Sequence, residues 1–374
     1  MSFSDAAGSL HSSIASASER LTLVESHFRF GKRMKVVVSR NLGPDVMPLL
    51  QERKELELVV WPEDRPCERK WLLENIPGAI GVVVMLSEKM DQEAYDTAGP
   101  SLRVISTMSV GYEHIDLQLA AQRNIKIGYT PDVLTDAVAD ISVMLALMAG
   151  RNVRETTELV GRGDWPKTAW APFGFCGPQL SANWIHNTRT AGFIGFGRIS
   201  QATLTRLIPF GFTNCVYMSN PSSKPNPEAD AETARRYNLR SVRRVGLDEL
   251  AAESDVVFVL APGGASTYHI VNEDFLRKMK ETAVLVNTAR GTLVDSDALA
   301  KALREKWIWG AGIDVVEGEP SVGLDHPLVK EPRCVVLPHI GSATIETRLG
   351  MATTAAKNLL GALFDEPMPA ELKR

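Results

Sequence analysis

Twice along this chain, apolar runs of strand length alternate with amphipathic stretches of helix length, and this alternation restricts the fold more than any other feature. Strands joined by helix-length crossovers pair in parallel, and helices then cover both faces of the sheet. The first series predicts strands at 35–38, 56–61, 79–85, 103–106 and 125–127, with helices near 45–52, 70–74, 92–98 and 117–122. The second predicts strands at 190–194, 215–218, 256–260, 283–286, 311–313 and 334–337, with helices at 198–208, 228–237, 272–279 and 296–305. A last helix over 343–363 is long enough to carry the chain back to the first series. The expected fold class is α/β: two doubly wound parallel-sheet domains, the second inserted into the first. The expected boundaries are an extension over 1–33, a first domain from 34–135 and 341–374, and a second from 136–340. A chain of 374 residues has room for this, since domains run to about 150 residues each.

Between the two series, 131–153 reads as one helix, with Val138, Ile141, Leu145 and Met148 at helical spacing. Val143, Met144, Ala146 and Leu147 make it apolar around most of its circumference, so it must be buried, either between domains or in a dimer interface. Residues 162–186 are loop-rich and carry Trp165, Trp170, Phe173, Phe175 and Trp184. If exposed, the aromatics there point to subunit contact, with a plain packing loop as the other reading. The Ser- and Ala-rich residues 1–33 lack the apolar core of a secretory signal and read as a disordered tail.

The formal net charge is −4 with no long run of either sign, which argues against a nucleic-acid partner that would need a basic stripe. Cys67, Cys176, Cys215 and Cys334 lie far apart with no His cluster nearby, so reduced thiols are expected and no metal. No apolar stretch reaches the roughly 20 residues of a membrane span.

The strand at 190–194 runs into Gly195-Phe196-Gly197-Arg198-Ile199-Ser200 and then a helix. In a dinucleotide-binding turn the first glycine allows the tight bend and the second lets the backbone approach a pyrophosphate. The phosphates then sit on free N–H groups at the positive end of the helix. Ser200 replaces the usual third glycine with another small residue. The adenosine end is read after the next strand, where a carboxylate usually binds the ribose of NAD. Here Ser219-Asn220-Pro221-Ser222-Ser223-Lys224 offers donors and no carboxylate, which favours NADPH over NADH while leaving NAD possible.

Three further segments follow predicted strands: Val286-Asn287-Thr288-Ala289-Arg290-Gly291, then Gly312-Ile313-Asp314 running on to Glu319-Pro320, and Pro338-His339-Ile340-Gly341-Ser342. Ligands of open α/β sheets bind at such carboxyl ends. With the glycine turn, these segments resemble the D-isomer-specific 2-hydroxyacid dehydrogenases. The runs Ile105–Gly111, Gly128–Asp136 and Glu366–Leu372 are similar to the glyoxylate reductase/hydroxypyruvate reductase branch. The resemblance runs from about Met34 to the end of the chain. It implies a Rossmann dinucleotide-binding domain inserted into a flavodoxin-like substrate domain.

The roles implied follow from the chemistry of reducing a 2-keto acid. His339 is the general acid, and Glu319, rather than its rival Glu317, is the carboxylate that favours its protonated form. Arg290 grips the substrate carboxylate with two parallel hydrogen bonds. Backbone N–H groups of Val110 and Gly111 clamp the same carboxylate, and domain closure excludes water. Asp314 meets the nicotinamide end, with a strand-end cap as its plainer reading. Ala261, Pro262, Thr288, Gly341 and Ser342 complete the expected cofactor contacts, and Trp170 is a substrate-binding candidate, placed to reach a neighbouring subunit. The expected partners are a small 2-keto or 2-hydroxy acid and a second copy of the chain, with a cytoplasmic location and with mitochondrion and peroxisome left open. Two alternatives stand beside this: a dehydrogenase with a larger side-chain pocket, and a dinucleotide-sensing module like the corepressors that share the fold.

Overall fold

A computed structural model describes residues 33–220 and 222–373. Pro221 and residues 1–32 of the expected tail lie outside the described residues. The chain forms two compact units, one built up to Pro131 and again from Arg348, the other from Asp132–Thr347.

The first unit is a five-stranded parallel sheet of β1 (Met34–Val38), β2 (Leu56–Val60), β3 (Gly81–Val84), β4 (Val104–Thr107) and β5 (Lys126–Gly128), in the order β2-β1-β3-β4-β5. Strands β3 and β4 are buried at every position because both faces of the sheet are covered. One face packs on Ala355, Ala356 and Leu359 of the helix Ile345–Leu363, and the other on Leu72, Ala94 and Tyr95. The Ser106 hydroxyl donates to the Ala355 carbonyl at 2.8 Å, and Asn358 donates to Tyr129 O and accepts from Ala370 N. These bonds tie the returning carboxyl-terminal segment to the sheet.

The second unit is a seven-stranded parallel sheet: β6 (Arg189–Ile194), β7 (Phe212–Met218), β8 (Ser241–Arg244), β9 (Val256–Val259), β10 (Val284–Asn287), β11 (Gly310–Ile313) and β12 (Cys334–Val336). The order is β12-β11-β10-β9-β6-β7-β8, so the chain starts in the middle and reverses direction beside β6. Strand β8 and the helix Leu247–Glu253 escape sequence reading. β8 is an edge strand, Ser-Val-Arg-Arg, of which only Val242 is buried, so it carries no period-two signal.

The helix expected over 131–153 is shorter at both ends, and a second, unexpected helix follows it. Thr135–Gly150 ends at Gly150, Asn152 takes a left-handed φ of 53°, and Val153–Gly161 restarts. The first of these helices is buried against β10, β11 and the helix Arg198–Leu207 of its own unit, with Leu145, Ala146 and Ala149 in the core. Its apolar circumference is therefore accounted for largely by the sheet it covers. Among the described residues no helix is long and apolar enough to cross a membrane, and no group of side chains suits a metal ion.

Candidate active site

The glycine turn sits where the strand order reverses. Gly195 has φ +91°, and a Cβ there would lie 2.8 Å from the Ala261 backbone, so β6 can meet the end of β9 only with glycine at this place. Gly197 opens the helix Arg198–Leu207 without a side-chain cap, and a Cβ on it would meet nothing within 4 Å. An open glycine before uncapped helical N–H groups is a cradle of the kind a pyrophosphate fills, and Ile199 lies in its first turn. Ser200 is buried, and its hydroxyl donates to Gly195 O at 2.7 Å, so it closes the turn from inside. The Phe196 ring stacks on Tyr217 at 4.3 Å and holds the turn beside β7. Arg198 is ion-paired with Asp132.

After β7, Asn220 Oδ1 accepts from both the N–H and the hydroxyl of Ser222, and Ser219 lies 3.3 Å from the Ser223 hydroxyl. Arg244, at the end of β8, donates to the carbonyls of Ser223 and Asn220 at 2.7 and 2.9 Å. Sequence reading missed this arginine because the strand that delivers it was not visible. The loop after β9 is knitted by Thr267, which donates to the carbonyls of Pro262 and Gly264.

The catalytic candidates lie on the adjacent ends of β10, β11 and β12, where Asn287 pairs with Ile313 and Ile313 with Val336. Arg290 follows β10, and its Nη1 donates to Ala289 O at 2.8 Å. A Cβ on Gly291 would fall 2.1 Å from the Val316 carbonyl carbon, so the Arg290 loop presses directly on the segment that leads to Glu319. His339 Nδ1 is 2.8 Å from Glu319 Oε1, and Glu319 Oε2 accepts from Val316 N at 3.1 Å. Both side chains are about one-third exposed. Glu317 takes a different partner: its carboxylate lies 2.9 Å from His269 Nε2 and accepts from Tyr268 at 3.2 Å.

His339 has φ +56°, a conformation that strains any residue with a side chain. Asp314 holds it there. The Asp314 carbonyl accepts from His339 N at 2.8 Å, and its two carboxylate oxygens accept from Ile340 N and Gly341 N at 2.7 Å each. Burial pushes the Asp314 carboxyl above the usual carboxylate range, against the pull of those two N–H groups. From sequence the residue reads as a cofactor contact or a strand-end cap, and the loop it clamps, after β12, is evident only from the structure. Thr288 is 2.8 Å from the Ser142 hydroxyl, and Ser142 lies on the helix Thr135–Gly150. Ser342 follows Gly341, and its carbonyl accepts from Thr344 N.

Val110 and Gly111 belong to the first unit, in the loop after β4. Ser109 Oγ donates to Gly111 O at 2.6 Å and lies 2.7 Å from Thr107 Oγ1, and Ser109 O accepts from Thr130 N. Trp170 is 88% exposed and contributes to no core, as are Phe173 and Trp184 at 89% and 92%.

Residues 143–341 match the D-isomer specific 2-hydroxyacid dehydrogenase, NAD binding domain. The human glyoxylate reductase/hydroxypyruvate reductase is 42% identical over 340 residues, which cover 91% of this chain and 98% of that protein. The glyoxylate reductase of Thermofilum pendens is 41% identical over 342 residues, 90% of this chain and 94% of its own length. An NADPH-dependent glyoxylate/hydroxypyruvate reductase from Sinorhizobium meliloti, solved with NADP and malonate, superposes with a TM-score of 0.74 at 29% identity, over 91% of this chain and 97% of that one. The chain therefore belongs to the D-isomer-specific 2-hydroxyacid dehydrogenases, which are NAD(P)-dependent oxidoreductases. Within that family it falls in the glyoxylate reductase/hydroxypyruvate reductase branch.

Proposed function

We infer that this enzyme reduces small 2-keto acids, glyoxylate to glycolate and hydroxypyruvate to D-glycerate, with NADPH preferred over NADH. The observation that carries the reading is the Glu319–His339 pair on the strand ends beside Arg290, in a chain so similar along its length to relatives of that name. The bound nicotinamide supplies the hydride. His339 faces Glu319 through Nδ1, which leaves Nε2 to deliver a proton to the carbonyl oxygen as it becomes a hydroxyl. Arg290 holds the substrate carboxylate and polarises the keto group. Val110 and Gly111 offer backbone donors from the substrate domain, and the second unit binds the nucleotide through Gly195, Gly197 and the residues after β7, β9 and β10. Preference for NADPH is supported by the absence of any carboxylate in 219–224. The exposed aromatics Trp170, Phe173 and Trp184 support a homodimer with this loop at the interface.

A steady-state assay crossing glyoxylate, hydroxypyruvate, phenylpyruvate and 2-ketoisocaproate with both cofactors tests the reading. The highest kcat/KM is expected with hydroxypyruvate or glyoxylate and NADPH. A preference for the bulkier acids refutes the substrate assignment, and the absence of turnover with all four refutes the reaction. His339→Ala is expected to lose about 10²–10⁴-fold in kcat, the usual worth of general acid catalysis.

A further inference from the structure

The loop that reads the adenosine end contains no arginine of its own, yet one is delivered to it from the next strand. β8 pairs with β7 so that Arg244 stands opposite Tyr217, two residues before Ser219. From there its Nη1 and Nη2 donate to the carbonyls of Ser223 and Asn220. Both acceptors are neutral, and among the described residues no carboxylate pairs with Arg244. The neighbouring Arg243 is different, since it is neutralised by Glu249 and Glu253 at 2.7 Å each. Two of the five guanidinium N–H groups are used on the loop, which leaves others for a ligand. Arg244, half-buried as a residue, is also among those lining an open groove of about 820 Å³ beside β8. The loop itself is pre-shaped by the Asn220–Ser222 hydrogen bonds, presents the Ser219 and Ser223 hydroxyls, and has Lys224 close by in sequence.

We propose that Arg244 is the residue that makes this enzyme discriminate between NADPH and NADH: it both braces the backbone at Asn220 and Ser223 and supplies the positive charge that meets the 2′-phosphate. The inference rests on the NADPH preference stated above. The two parts of the role separate experimentally. Bracing affects every adenine nucleotide alike, whereas charge affects only those with a 2′-phosphate.

The test is titration calorimetry of the full-length protein with 2′,5′-ADP and with 5′-AMP, alongside kcat/KM for NADPH and NADH, in the wild type, Arg244→Lys and Arg244→Gln. A charge-assisted hydrogen bond corresponds to roughly 10- to 100-fold in affinity. Arg244→Gln is therefore expected to weaken 2′,5′-ADP by about that factor, change 5′-AMP by less than about threefold, and move the NADPH/NADH ratio in parallel. Arg244→Lys, which keeps the charge and loses the fork, is expected to fall between. A wild type that favours NADH and 5′-AMP overturns the cofactor reading and this inference with it. A wild type that favours NADPH, combined with an Arg244→Gln variant that keeps its ratio or weakens both nucleotides equally, overturns the role of Arg244 alone.

Discussion

Gly195 and Gly197 are separated by one residue and differ sharply in what a methyl group would meet, which allows folding and nucleotide binding to be tested apart. In Gly195→Ala the new Cβ falls 2.8 Å from both Cα and N of Ala261 and 2.9 Å from the Leu260 carbonyl carbon. All three are backbone atoms, so no rotamer change can relieve the contact. The φ of +91° adds strain of about 1–2 kcal/mol for any residue with a Cβ. Overpacking of this kind costs a further 1–3 kcal/mol, roughly. The sum, about 2–5 kcal/mol, corresponds to a fall in Tm of about 5–15 °C for a unit of this size. In Gly197→Ala the φ of −87° is ordinary and no atom lies within 4 Å. The cost to folding is the modest preference for glycine over alanine at a helix N-cap, below about 1 kcal/mol. Its methyl instead stands where the pyrophosphate would approach, so nucleotide affinity should fall at least about tenfold, equivalent to about 1.4 kcal/mol. Thermal unfolding without nucleotide, paired with calorimetric titration of NADPH, reads both quantities. If Gly195→Ala melts with the wild type, the close approach of β6 and β9 is wrong. If Gly197→Ala binds NADPH normally, the pyrophosphate does not rest on this turn.

Asp314→Ala removes both acceptors of Ile340 N and Gly341 N. Its loss of stability should stay below about 3 kcal/mol, because relief from burying a carboxylate offsets part of the lost hydrogen bonding. Released from its positive φ, His339 should misplace its proton, so kcat falls more than Tm does, and an unchanged kcat would show that the clamp does not position the imidazole. Glu319→Gln should lower kcat/KM about 10–100-fold, the worth of one charged hydrogen bond, while Glu317→Gln, whose partner is His269, should change it by less than about threefold; the reverse order reassigns the pair. His326 accepts from Leu328 N through Nδ1, and burial holds its pKa below the ordinary 6.5 despite the nearby Asp297. The folded state therefore binds fewer protons than the unfolded one in that window, and this contribution is present above pH 6.5 and lost as pH falls through the depressed value. In urea titrations between pH 5 and pH 8, about 1.5 units either side of the ordinary 6.5, His326→Asn should show a shallower loss of stability on acidification than the wild type, and identical slopes would remove His326 from the linkage.

Sequence by itself determined the class of this fold and the order of its chemistry. Apolar runs of three to seven residues alternating with amphipathic stretches of helix length point to buried parallel strands, and a strand-turn-helix with two glycines points to the phosphate cradle, because both depend on neighbours along the chain. Tertiary structure decided the pairings. The proline after Glu319 marks it off from Glu317 only by resemblance; the partners His269 and His339 lie 48 and 20 residues away, and the tertiary structure gives one acid to each. The grip of Asp314 on the His339 loop depends on that structure too. Strand β8 was invisible for the opposite reason: on a sheet edge with one buried side chain it needs no apolar pattern, and its existence depends on the hydrogen bonds β7 offers it. With it came Arg244, the arginine that the loop after β7 lacks in its own sequence.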